Sequence, residues 1–262
     1  MDLRLRDKVV LLTGATGTLG GACARAFAAE GAQLALLGRR ADALERLVAE
    51  LRTCGAPRCA SVSADLGDAD ATDGAVAEVL RTFGRIDVLI ACAGAAQGGV
   101  FTELSDADWR RSLEIKLFGT IRVLRAVLPS MQRERRGRIV IVAGNSAKMP
   151  EPRMLPGAAA NAALLAIVRG LAEELGPSGI AINAVNPGPI RSPRWEQQMR
   201  TLAARAGRPV EEIEAPFLAK AALRRLGSAE QVAYQVLFLA SELADHTTGT
   251  SIEVDGGSIK TP

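Results

Sequence analysis

Thr13-Gly14-Ala15-Thr16-Gly17-Thr18-Leu19-Gly20 follows the apolar run Val9 to Leu12 and precedes a segment of helical period reaching about Glu30. It therefore occupies a strand-to-helix junction. Glycine does three things at such a junction: it turns the chain sharply, lets backbone amides approach a pyrophosphate, and allows helix and strand to pack closely. Gly14, Gly17 and Gly20 are spaced for those roles, with Thr16, Thr18 and Leu19 between them. The stretch predicts a phosphate-binding loop, and a purely structural tight turn is the alternative.

Short runs rich in Val, Ile and Leu recur beyond it: Leu34 to Leu37, Val88 to Ala91, Ile139 to Val142 and Ile180 to Val185. Longer helical segments separate them. Ala41 to Arg52 sets Leu44, Leu47, Val48 and Leu51 on one face, and Ala158 to Leu175 is apolar enough to be a buried helix stopped by Gly176-Pro177. Ser228 reads as the N-cap of a helix reaching about Leu243, and Ser251 to Val254 as a last strand. This alternation predicts an α/β, doubly wound Rossmann-type parallel sheet with helices on both faces. One domain over 1–262 is expected, and the stretch from about 188 to 227 reads as a substrate lid or a packed surface insertion.

Hydrophobic residues make up 48% of the 262 and charged residues 23%, which suits a large core and excludes a disordered chain. The net charge of +3 comes from scattered arginines. The run Arg133, Arg135, Arg136 lacks interleaved aromatics, so no nucleic-acid partner is expected. Cys23, Cys54, Cys59 and Cys92 have no paired spacing and His246 is the sole histidine. No metal site is predicted, and buried or neutral thiols are. The first apolar run is too short for a membrane span or signal peptide, giving a cytoplasmic expectation with no membrane partner.

The loop, Asp65-Leu66, Ala93-Gly94, the segment Asn183 to Ile190 and the ending Thr248 to Gly257 stand in the order and spacing of short-chain dehydrogenase/reductase landmarks. The chain resembles that family over nearly its whole length. The resemblance implies about seven parallel strands, a dinucleotide at their carboxyl ends, and a homodimer or homotetramer. It implies cofactor contacts from Gly14, Thr16, Gly17, Thr18, Leu19, Gly20, Asp65, Leu66, Ala93, Gly94, Asn161, Pro187, Gly188 and Ile190. Thr18 departs from the single-domain branch, which usually has glycine there, and the TGxxGxxG spacing is similar to the extended branch. After the second strand, Gly38-Arg39-Arg40 offers guanidinium groups where an acidic residue would repel a 2′-phosphate. NADP(H) is predicted over NAD(H), the alternative being that Arg39 and Arg40 only cap the neighbouring helix.

The family divides carbonyl chemistry among Asn, Ser, Tyr and Lys. Here the resemblance puts those positions at Lys116, Gly144, Gly157 and Asn161 respectively. Register does not create the difference, because Tyr234 is the only tyrosine and no YxxxK occurs anywhere. Lys116, Asn145, Ser146 and Lys148 are candidate substitutes, whereas Glu103 and Glu151 lack the spacing of a carboxylate pair. Glycine in place of an aromatic ring at 157 predicts a roomier ligand pocket. Three readings remain open: an oxidoreductase on an unknown carbonyl or alcohol, an inactive dinucleotide-binding or regulatory homologue, and a non-redox enzyme using the same pocket. Each takes a small-molecule ligand.

Overall fold

A seven-stranded, wholly parallel sheet runs through the protein in the order β3-β2-β1-β4-β5-β6-β7. The computed structural model describes residues 2–94 and 98–260. The strands are β1 Val9–Thr13, β2 Gln33–Gly38, β3 Cys59–Ser63, β4 Val88–Ala91, β5 Gly137–Val142, β6 Ile180–Pro187 and β7 Ser251–Val254. Parallel neighbours cannot be joined by hairpins, so every connection crosses over through helix. The main helices are α1 Thr18–Ala29, α2 Ala41–Thr53, α3 Ala69–Phe83, α4 Asp106–Leu113, α5 Gly119–Arg133, α6 Leu155–Leu175, α7 Pro193–Ala206, α8 Val210–Lys220 and α9 Ala229–Ala240.

The two-residue period of the strands sorts the apolar runs into two cores. Val10, Leu12, Leu34, Leu36, Ile90 and Val140 face a layer containing Phe27 of α1 and Val232 and Val236 of α9. Leu11, Leu37, Leu89, Ile139, Ile141 and Ile182 face Val76 and Val79 of α3, Val123 and Val127 of α5, and Leu164 and Val168 of α6. Burial on both sides explains why the strands read as continuous apolar runs rather than alternating ones. Helix α6 is long and apolar enough to cross a membrane by length and composition. Its Leu164, Val168, Ala172 and Leu175 are buried within the fold.

Two helix ends differ from the sequence reading. Helix α6 begins at Leu155 rather than Ala158, because Pro156 fits a first turn whose N–H groups need no partner. Helix α9 stops at Ala240 rather than Leu243, where the Ser241 hydroxyl accepts a bond from the Leu243 N–H at 3.2 Å and starts a separate short turn. Of the cysteines, Cys23 and Cys59 are buried, but Cys54 is exposed at the end of α2.

The chain leaves β1 toward β2 and β3, then returns to lay β4 against β1's other side. This reversal opens a crevice at the carboxyl ends of β1 and β4. The segment between β6 and α9 stands over the same end and carries α7 and α8. Its neck is closed by bonds from Arg191 N to Gly227 O (2.9 Å) and from Gly227 N to Pro189 O (3.1 Å).

Candidate active site

Gly14 turns the chain off β1 with φ +68°, and its N–H donates to Leu37 O at 2.9 Å. A Cβ there would lie 2.8 Å from the backbone of Ala93, so the loops after β1 and β4 approach as closely as glycine alone permits. A Cβ on Gly20 would come 2.2 Å from Gly14 O. Gly17 is the N-cap of α1, whose first turn holds no acidic residue. The open N–H groups and the positive end of α1 thus face the crevice without a competing anion. Thr18 opens α1 in helical conformation and is exposed, so its side chain requires no backbone strain.

Two adjoining cavities of about 460 and 480 Å³ make up the crevice, and Gly14, Gly17, Cys92 and Gly94 line both. The first also meets Thr16, Arg39, Arg40, Asp65, Leu66 and Ala93. Arg40 donates to Thr16 O at 3.4 Å, which holds its guanidinium over the loop. Asp65 Oδ1 accepts from Gly67 N at 3.0 Å and shapes the turn after β3. The second cavity is lined by Thr18, Leu19, Gly20, Lys116, Asn145, Ser146, Gly157, Asn161, Pro187, Gly188 and Ile190, together with residues of α7 and α8.

Lys116 lies on a π-helical turn, Glu114–Phe118, between α4 and α5. Such a turn inserts a residue into the helical ladder and redirects a side chain. Arg122 fixes this one by donating to Glu114 Oε1 at 2.5 Å and to Leu66 O at 2.9 Å. Gly94 leaves room for the lysine stem, since a Cβ there would meet Lys116 Cγ and Cδ at 3.0 Å. Lys116 Nζ donates to Ala143 O at 2.9 Å. Burial lowers its pKa from the usual 10.5 to about 8; the Cys92 thiol opposes that fall and Arg194 adds to it. Cys92 itself is pushed well above the ordinary thiol range by the adjacent Cys23 thiol and by burial.

Across the cavity, Asn161 Nδ2 donates to Ser146 Oγ at 2.9 Å. Asn161 is 5% exposed, and its Oδ1 has no hydrogen-bond partner among the described residues. A buried amide oxygen without a partner costs about 1–3 kcal/mol, so this atom suits a ligand hydroxyl. A Cβ at Gly144 would lie 2.8 Å from Asn161 Nδ2, so the missing side chain at 144 is what admits this amide. Gly157 lines the cavity from the first turns of α6, beside Met154, Trp195 and Phe217.

The segment between β6 and α9 is braced internally. Trp195 Nε1 donates to Glu214 Oε1 at 2.7 Å, and the Trp195 and Phe217 rings meet edge to face at 5.4 Å. Lys220 of α8 pairs with Glu151 at 2.8 Å, joining that segment to the loop after β5.

A family model described as enoyl-(acyl carrier protein) reductase matches residues 14–258. The oxidoreductase UcpA of Salmonella typhimurium is 37% identical over 257 residues, covering 97% of this chain and 95% of that protein. The short-chain reductase protein NovJ of Streptomyces niveus is 33% identical over 252 residues, covering 96% and 94%. The chain belongs to the short-chain dehydrogenase/reductase family. Among solved structures, L-sorbose reductase from Gluconobacter frateurii, complexed with NADPH and L-sorbose, superposes with a TM-score of 0.95 at 29% identity, each chain covered in full.

Most of the residues expected from the sequence of this family member meet at the crevice, but Lys148 does not. Lys148 pairs with Glu253 of β7 at 2.9 Å, and Asn186 donates to the same Oε1 at 2.9 Å. That lysine braces the loop after β5. Tyr234 is 64% exposed on α9, and Glu103 and His246 are exposed too. Cys92, Ser192, Arg194, Gln198, Phe217 and Lys220 line the second cavity and were not singled out by sequence reasoning. They reach it through tertiary packing, for which no short motif exists.

Proposed function

We propose that this protein is an NADP(H)-dependent oxidoreductase that interconverts a carbonyl compound and its alcohol, with Lys116 moving the proton. One observation carries the reading: Lys116 lines the crevice with its Nζ held by Ala143 O at 2.9 Å, where burial lowers its pKa from 10.5 to about 8. The residues fit a dinucleotide. Gly14 and Gly20 let the loop after β1 fold closely against Ala93 and its own backbone, α1 offers a positive end free of acidic residues, and Asn161 Oδ1 is a buried acceptor in want of a donor. Arg39 and Arg40 line the cavity beyond β2 and favour a 2′-phosphate. The family's L-sorbose reductase is described with NADPH, which supports the same cofactor class here.

A bound nicotinamide would supply or accept the hydride. The chain's own groups orient the carbonyl and handle its proton. Ser146 accepts from Asn161 Nδ2 and so has its own hydrogen to donate toward a substrate oxygen. Lys116 as ammonium gives a proton to the developing alkoxide and is left as the amine; in the oxidative direction the amine takes the alcohol proton. The lid's aromatic pair covers the cavity against water.

Reduction requires the ammonium, so its rate should be full below pH 8 and fall as pH rises through about 8, while oxidation rises over the same interval. The test is a pH profile of NADPH oxidation over a panel of ketones and aldehydes, repeated with Lys116→Met. Turnover with an unshifted profile in Lys116→Met would overturn the role of Lys116. NADPH binding without turnover on any carbonyl or alcohol would favour the inactive, regulatory reading.

A further inference from the structure

We propose that Lys116 is also a carbon-directed nucleophile: its Nζ condenses with an aldehyde or ketone seated in the second cavity to form an imine on the protein. The five lysines differ in what holds them. Lys8, Lys148 and Lys220 each have a carboxylate oxygen within 3.1 Å. Lys260 is exposed and donates to a backbone carbonyl, Gly257 O. Lys116 and Lys220 both line the second cavity, of about 480 Å³, but of the two only Lys116 has a carbonyl rather than a carboxylate as its partner among the described residues. A carbonyl oxygen accepts a hydrogen from either form of the amine, so the contact with Ala143 survives deprotonation and leaves the lone pair usable.

The groups around Nζ come from several elements. Burial favours the amine, Arg194 of the lid favours it further, and the Cys92 thiol at the end of β4 opposes. Glu114 on the same turn is occupied by Arg122. With the lysine at about 8 rather than 10.5, roughly two hundred times more of it is free amine at pH 7.5 than of an ordinary lysine. Amines of this kind form Schiff bases with carbonyl compounds.

The step balances without a further reagent. The Nζ lone pair forms a bond to the carbonyl carbon, and the oxygen takes a proton to give a carbinolamine. Loss of the hydroxyl with the remaining Nζ hydrogen yields the C=N bond and one water. No electrons are transferred, so the adduct reverses on dilution. Ser146 and Asn145 line the same cavity and can donate to the departing oxygen.

The proposal goes beyond the redox reading and is tested without dinucleotide. The full chain is incubated with benzaldehyde and sodium cyanoborohydride between pH 6.5 and 10.5, and the resulting N-benzyl groups are located by peptide mapping. One benzyl group per chain on Lys116 is expected at pH 7.5, at least about tenfold ahead of each other lysine. Its rate should level off above about pH 8. The α-amino group titrates nearby but reports on a different peptide. Lys116→Arg should lose the adduct at that peptide alone. Even spread over Lys8, Lys148, Lys220 and Lys260, or Lys116 labelling that rises only above pH 10, would overturn the proposal. Because the wild-type map gives the answer, a misfolded variant does not blur it. Labelling in a protein that never oxidises NADPH would separate this proposal from the oxidoreductase reading.

Discussion

Replacing Lys116 with methionine should make the protein more stable at neutral pH, although it removes the group assigned to proton transfer. Folding lowers the lysine pKa from 10.5 to about 8, which corresponds to about 3 kcal/mol of preference for the neutral amine in the folded state. At pH 7 both folded and unfolded chains carry the ammonium, so the folded protein bears the whole of that penalty. Methionine has similar length and no charge, which removes the penalty and leaves Ala143 O without its 2.9 Å bond. A lost hydrogen bond to a buried carbonyl costs about 1 kcal/mol, so the net gain is about 2 kcal/mol.

The pH dependence gives the sharper check. Between about 8 and 10.5 the unfolded lysine binds more protons than the folded one, so wild-type stability rises with pH across that window. Above 10.5 the penalty is gone and only the lost hydrogen bond distinguishes the two proteins, so the variant's advantage should shrink and then reverse by about 1 kcal/mol. Urea unfolding of both proteins at pH 7, 9 and 10.5 measures this as a difference in midpoint at unchanged slope, with all other titrating groups cancelling. A variant less stable than wild type at pH 7, or a difference that does not move with pH, would refute the burial argument.

Gly14→Ala should lose more than about 2 kcal/mol, combining a left-handed backbone cost with a contact to Ala93 that no side chain can relieve. A thermal melt and an NADPH fluorescence titration should both register it. Removing Arg39 and Arg40 together should weaken NADPH binding about 10- to 100-fold while changing NADH binding less than about threefold, as calorimetry can measure. Gly144→Ala should cost about 1 kcal/mol by turning Asn161 off Ser146, and nothing in an Asn161→Ala background, so a double-mutant cycle should show a coupling of that size.

The central strands were legible because burial on both faces leaves few polar positions, so Val9 to Leu12 and Ile139 to Val142 announce themselves without alignment, whereas the edge strand β3, with Ser61 and Ser63 and partial exposure, gave no such run. The phosphate loop was legible because the demands on Gly14 and Gly20 are local: a positive φ and two close backbone approaches. The second cavity was not. Lys116 points inward because a π turn redirects it, Arg122 ties that turn to Leu66, and Gly94 clears the path of its stem. None of these three conditions is a spacing. Lys148 was also a candidate in the sequence, and a partner on the distant strand β7 removes it from the crevice.

The altered positions make more chemical sense together than one at a time. By resemblance, the family's asparagine position holds Lys116 and its lysine position holds Asn161, so the crevice retains one ammonium and one amide with their places exchanged. Asn161 then fits only because Gly144 has no Cβ, and it selects Ser146 as the hydroxyl it can hold. Of the four groups the family employs, only the phenol at 157 has no counterpart nearby. A phenol titrates near 10 and needs an adjacent ammonium to bring it toward neutrality. Lys116 needs no such helper, because burial, with Arg194 adding to it, brings it to about 8. On the proposed mechanism, an exchange of lysine and asparagine across the crevice removes the need for a tyrosine at 157.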